Sequence, residues 1–298
     1  MASVSLDVLA FSLLPALLWG FSPILSKRGM EAGGNALQAS LIVVVVDTTV
    51  YWAILLVTHG PFNLFSQLSL GVIGIFLFAG VVGTAIGRLA TFGGVHRVGA
   101  SVNSAGISTR PLFATILALV WLGEPVNLQT ATGIVVLVIG LVILALSRGG
   151  DIRGWGMRDL LFPLTAAGAF AVGNVVRRFG LTTTPATTLE AVTLNETAAL
   201  VVLAGYAVFG SGKEISNAPR RSYLFFTGSG VITAVALFSL FEAFDRGPVA
   251  IVDPLAGTAP LFTTFFAFFL LRDIERVTRG VVAGAVLIVV GAGLITAF

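Results

Sequence analysis

Three ionisable residues lie in the middle of long apolar runs. Asp47 follows Val43-Val44-Val45-Val46, Glu196 sits in Leu194-Asn195-Glu196-Thr197, and Arg110 immediately precedes Pro111. A charged side chain at the centre of a membrane helix costs about 2.5–3.5 kcal/mol on insertion scales, so each needs a partner, water or a bound solute. These residue types suit recognition rather than bond breaking. A guanidinium beside a proline-weakened backbone can take a carboxylate or phosphate. A carboxylate can take a cation or a proton, and a zwitterion such as an amino acid would satisfy both. The competing reading makes Arg110 a structural bridge to one of the acids. Catalysis has no such footing: there are no cysteines, and His59 and His96 stand far apart without an HExxH pattern. No catalytic residue, metal or cofactor is expected.

Further residues extend the candidate site. Trp19, next to Gly20, could stack on a solute or simply pack. Asn103, Ile107 and Arg110 follow i, i+4, i+7 spacing and would share one face of a continuous helix, although a lone amide more often joins helices. The candidate substrate-binding set is therefore Arg110, Asp47, Glu196, Trp19 and Asn103. Tracing alternate span directions places Glu190, Glu242 and Asp253 toward the face bearing both termini, and Arg88 toward the other. Such residues could form oppositely charged vestibules that steer a solute, or could merely snorkel to water.

The elements that must position these residues are membrane helices. Of 298 residues, 56% are hydrophobic and 10% charged, against about 45–50% and 25% in soluble domains. Apolar runs of roughly twenty residues recur throughout, without the two-residue alternation of barrel strands. Ten helices are expected, at 6–26, 36–58, 68–92, 99–122, 128–146, 159–179, 186–209, 222–244, 248–271 and 278–297. The first lacks a basic leader and reads as retained. The polar stretch 148–158 separates a first five-helix unit, 1–147, from a second, 159–298. Residues 149 apart match: Arg110-Pro111-Leu112-Phe113 with Ala259-Pro260-Leu261-Phe262, Asp47-Thr48 with Glu196-Thr197, and Thr84-Ala85 with Thr233-Ala234. An odd number of spans per unit inverts the second copy. The fold class is an all-α membrane protein of ten transmembrane helices in two inverted five-helix repeats.

Trp19-Gly20 with Lys27, and Gly99-Ala100 through Pro111 into Leu122-Gly123-Glu124, Gln129 and Gly133, resemble the EamA-type ten-helix branch of the drug/metabolite transporter superfamily. The second corner departs from the pattern as Arg272-Asp273-Ile274-Glu275. The resemblance implies a multi-pass plasma-membrane protein that exports or exchanges amino acids or other metabolites without a cofactor or ATP hydrolysis. The function expected is secondary active transport by alternating access, with proton coupling through Asp47 or Glu196 as an option. The rival is a non-transporting receptor or assembly factor on the same fold. The expected partners are a small-molecule solute and the lipid bilayer. A net charge of +3 leaves no footprint for nucleic acid. Gly83 with Gly87, and Gly284 with Gly291, allow close helix approach, including a homodimer face. The FTTFFAFF cluster suits lipid or packing, and Glu124 suits a cap into the fifth helix. Counted over short loops, the side bearing the termini has Arg177, Arg178 and Arg246, and the remaining Lys and Arg concentrate on the opposite side. The positive-inside rule then places that side in the cytoplasm, whereas the resemblance implies cytoplasmic termini, and orientation stays open.

Overall fold

In hydrocarbon a backbone must satisfy its own hydrogen bonds, and a helix does so within one segment. The computed structural model describes residues 4–61, 64–147, 155–210, 218–270 and 278–296. Among them, ten helices are long and apolar enough to span a membrane. They are α1 (Leu6–Glu31), α2 (Ala36–His59), α3 (Leu70–Gly99), α4 (Ser101–Leu122), α5 (Leu128–Leu146), α6 (Met157–Thr183), α7 (Thr188–Phe209), α8 (Arg220–Arg246), α9 (Val249–Phe266) and α10 (Arg279–Thr296). Side-chain caps set several starts. Asn35 accepts from the Gln38 amide at 2.9 Å, and Asn127 from the Thr130 amide at 2.7 Å. Most of the stretch 148–158, the Arg272–Glu275 corner, and Arg148, Arg153, Lys213 and Arg276 lie outside the described residues.

Two boundaries differ from expectation in ways that matter. The third helix runs on to Gly99, whose φ of +80° turns the chain directly into the fourth. The sixth continues to Thr183, so Arg177 lies well inside it. Arg177 is 4% exposed, which corrects its counting as a loop charge.

The pairings obey the inverted two-fold. Helix α1 packs on α8 and α9, and its counterpart α6 packs on α3 and α4. Helix α2 meets α8 as α7 meets α3, while α2–α7 and α5–α10 pair counterpart with counterpart. Each repeat thus lends its first helix to the other. The chain forms two blocks of mixed origin, α1-α2-α8-α9 and α3-α4-α6-α7, each containing helices of both repeats.

The α5–α10 contact is made by glycine. A Cβ at Gly291 would stand 2.5 Å from the Leu137 amide nitrogen, and one at Gly284 would stand 2.8 Å from the Gly140 carbonyl oxygen. These positions are consumed inside the chain, so the Gly284/Gly291 stripe is not a free dimer face. Phe265 and Phe269, about half exposed, meet at a tilt of 55° with centroids 4.8 Å apart. Gly291→Leu should lower stability by about 1–3 kcal/mol or more through overpacking. Gly293→Leu, at a position with nothing within 4 Å, should be neutral. Thermal unfolding of the two purified variants checks the contrast.

Candidate functional site

Proline at equivalent positions breaks two helices at mid-depth. Pro111 and Pro260 lack an amide, and each ring clashes with the carbonyl four residues back. The chain responds identically in both places. The Thr109 amide bonds the Gly106 carbonyl at 3.2 Å and the Thr258 amide bonds the Leu255 carbonyl at 3.1 Å, single tight turns in place of α-helix. The helical segment Val249–Ala256 of α9 therefore ends beside the start of Arg110–Leu117 in α4.

Arg110 occupies that junction. Its Nε donates to Asp253 Oδ2 at 3.1 Å and its Nη2 to the Asp253 carbonyl at 3.3 Å. A cation at the carboxyl end of a helical segment also meets its negative dipole end. The structural bridge is thus realised, but to Asp253 rather than to Asp47 or Glu196. Asp253 is fully buried and belongs to this junction rather than to a vestibule, because it lies a full turn inside α9.

A second arginine organises the centre. Helix α3 forms a π-helical turn over Gly80–Ile86, and Gly83 faces Gly173 of α6 so closely that a Cβ would lie 2.6 Å from the Gly173 Cα. This approach brings Thr84 onto Arg177. The guanidinium donates to Thr84 Oγ1 at 2.8 Å, to Asn174 Oδ1 at 2.6 Å and to Asn195 Oδ1 at 3.1 Å, and lies over the Phe241 ring at 5.2 Å. Two relays lead outward. The Thr84 hydroxyl donates to Glu196 Oε1 at 3.2 Å, and Asn195 Nδ2 donates to the same oxygen at 2.8 Å. Asn174 Nδ2 donates to Asp253 Oδ1. One buried cation is thereby joined through neutral groups to two carboxylates.

A cavity of about 210 Å³ opens beside this network, lined by Trp19, Thr84, Arg88, Arg110, Arg177 and Glu196 among others. A wider one of about 400 Å³ runs from Trp19 and Arg88 past Ser26, Ser229 and Phe92 to Met30 and Ala36. Those last residues mark the face opposite the termini. A third, of about 130 Å³, lies between the two proline breaks. Trp19 lines all three. Toward the terminal face the path closes on buried Phe241, Phe244, Val8 and Val252.

Charge pairing is uneven. Arg88 has neither hydrogen bond nor ion pair to a described residue, and it faces both larger cavities. Asp47 and Glu196, both fully buried, lie in each other's electrostatic field across the α2–α7 contact. Asp47 Oδ2 and Glu196 Oε2 have no hydrogen-bond partner among the described residues.

The remaining candidates fall elsewhere. Asn103 is 2% exposed and packs against Gly94, lining none of these cavities. The break at Ser108 and Thr109 rotates Arg110 off its face, so the i, i+7 relation fails. Glu190 caps α7, its Oε2 accepting from the Thr187 amide at 2.9 Å. Glu242 pairs with Arg246 of its own helix. Neither forms an acidic vestibule, since each is spent on local bonds. Glu124 does cap a helix, but the ninth: its Oε2 accepts from the Val249 amide at 2.8 Å while Oε1 takes Arg178 Nε at 3.0 Å. Arg177, Asn174 and Asn195 are the central residues that sequence reasoning did not place in the site. The i, i+3 spacing of Asn174 and Arg177 was the available signal.

Inverted five-helix repeats around a mid-depth polar cavity define a multi-pass integral membrane protein with a solute-sized chamber. The EamA-like transporter family matches residues 7–146 and again 157–297. The chain belongs to that family. An uncharacterized transporter of Clostridium kluyveri is 28% identical over 135 residues, 45% of this chain and 42% of that protein. A crystal structure with 17% sequence identity superposes with a TM-score of 0.78, covering 97% of this chain and 96% of its own, a likeness of fold.

Arginines with and without partners should separate on mutation. Arg177→Met and Arg110→Met each strand buried polar groups and should cost about 3–5 kcal/mol. Arg88→Gln removes no hydrogen bond and should stay within about 0.5 kcal/mol. Denaturant unfolding in detergent measures all three.

Proposed function

We propose that the protein is a secondary active transporter that exports or exchanges a small organic solute, an amino acid or another metabolite, across the plasma membrane by alternating access. The observation that supports this most is the asymmetry of the path. A vestibule from the face opposite the termini reaches Trp19, Arg88 and Glu196, and packed side chains close the other direction. Exchanging which face is closed requires the blocks α1-α2-α8-α9 and α3-α4-α6-α7 to rock against each other. On the terminal face the blocks are tied by Arg178, which donates to the carbonyls of Phe244 at 2.6 Å and Asp245 at 3.0 Å. The Glu124 bond to the Val249 amide spans the same seam.

Two measurements test the reading. Proteoliposomes preloaded with unlabelled amino acids, organic phosphates or cationic amphiphiles should show saturable counterflow of at least one labelled class. Flat signals throughout would favour a receptor or assembly factor instead. The chain has no cysteine, so Leu240→Cys reports access without background. It should react with an impermeant maleimide from the face opposite the termini, and Arg178→Ala should make it severalfold more reactive from the terminal face.

A further inference from the structure

The seam between the two blocks holds an apolar pocket separate from the polar chamber. Its volume is about 220 Å³, and its walls include Tyr51 and Ile54 of α2, Leu189 in the first turn of α7, and Ala234, Val235 and Phe238 of α8. Helices α2 and α8 belong to one block and α7 to the other. Every lining side chain is apolar except Tyr51, whose hydroxyl is spent donating to the Ala234 carbonyl at 2.6 Å. One stretch of α8 divides the two spaces: Leu237 and Leu240 line the chamber, while Ala234, Val235 and Phe238 line the pocket.

The pocket opens outward. Ile54 and Val235 are 46% and 50% exposed, and both lie inside membrane spans, so hydrocarbon rather than water stands at the opening between α2 and α8. The repeat makes this opening one-sided. Under the 149-residue offset Val50, Ile54 and Ala234 correspond to Ala199, Leu203 and Ala85. Those three are buried and pack together with Val44 as a small core; Leu203, the counterpart of Ile54, is only 4% exposed. The same three-helix junction is therefore packed on the side of the open vestibule and hollow on the side of the closed terminal face.

We infer that an acyl chain of a bilayer lipid occupies this pocket, and that it does so in the form closed on the terminal face. A void beside packed side chains forfeits their dispersion contacts, and an apolar cavity of about 150 Å³ already accommodates benzene, so a segment of chain fits here. The lining offers nothing to a charge or a hydrogen-bonding solute, which leaves the hydrocarbon at the opening as the occupant. The dependence on form rests on the alternating-access reading, whereas occupancy itself does not. Rocking inverted repeats exchanges the surroundings of equivalent sites, so the hollow junction becomes the packed one when the terminal face opens. A chain touching Leu189 on one block and Ile54 and Val235 on the other thus binds one form and stabilises it.

Photolabelling of the purified full chain tests this, in nanodiscs of phosphatidylcholine that include a phosphatidylcholine with a diazirine near the end of one acyl chain. Peptide mapping should find label at 50–54 and 234–238 severalfold above that at Ile116 of α4, which is 59% exposed. Ile54→Trp and Val235→Trp fill the pocket from opposite walls, and each should remove the excess label without lowering the unfolding temperature. Ile116→Trp should leave the excess in place. Label at the pocket no greater than at Ile116, or excess label persisting in both filled variants, would overturn the proposal. High-yield disulfide dimers of Ile54→Cys would assign the pocket to a second copy and overturn it as well. Arg178→Ala, which loosens the terminal face, should reduce the excess severalfold, and maleimide reaction of Leu240→Cys in the same chain reports whether that face has opened. Unchanged label with an opened face would defeat the proposal, while a face that never opens, or flat counterflow alongside intact excess label, would count against the transport reading alone.

Discussion

A guanidinium in the middle of a bilayer must be solvated by protein, and the placement of Arg177 depends on meeting that constraint. Thr84, Asn174 and Asn195 replace its water shell, and each passes polarisation on to a carboxylate. The arrangement requires α3 and α6 to approach within the width of two glycines, Gly83 and Gly173. It also requires the α3 backbone to widen into a π turn that turns Thr84 inward. Backbone irregularity at membrane depth is tolerable here because it faces protein and a cavity rather than lipid.

The same economy governs the proline breaks. Each break interrupts the backbone bonds of its helix, and Arg110 sits against the break in α9, adding a bond to the Asp253 carbonyl while neutralising the Asp253 carboxylate. Interdigitation makes these local solutions cooperative. Because α1 packs with helices of the second repeat and α6 with helices of the first, neither repeat buries its faces alone. A displacement of one block is therefore shared by both halves of the sequence.

Much of this was legible in the residues. Ten apolar runs, the inversion, and the two proline positions followed from composition, span count and a 149-residue offset. Phe265 and Phe269 of the FTTFFAFF stretch lie about half exposed on the bundle. Other features were hidden for physical reasons. Arg177 and Arg178 look like the polar end of a span, and only the tertiary partners of Arg177 reveal that the helix continues past it. Asn103 seemed to share a face with Arg110 because periodicity assumes an unbroken helix, and the turn at Thr109 breaks it. Asp253 and Arg88 were both placed by depth alone. Depth does not distinguish an arginine hydrogen-bonded to a carboxylate from one that faces a cavity. Asp47 and Glu196 were recognised as equivalent, but their mutual proximity depends on α2 meeting α7 across the two-fold, which pattern along the chain does not encode.

The clasp on the terminal face has one further implication. Arg178 corresponds under the repeat to Gly29, which has no side chain with which to tie the opposite face. Under the proposed alternating access, a backbone with two-fold pseudo-symmetry would place its two rocked forms at equal free energy, and an uneven set of fasteners would tilt the landscape toward the form fastened at the termini. A transporter built this way would be a latch with a rest position, and leaving that position would draw on whatever differential affinity an occupant brings. Without an occupant it would stay at rest, which would keep an unloaded carrier from becoming a leak.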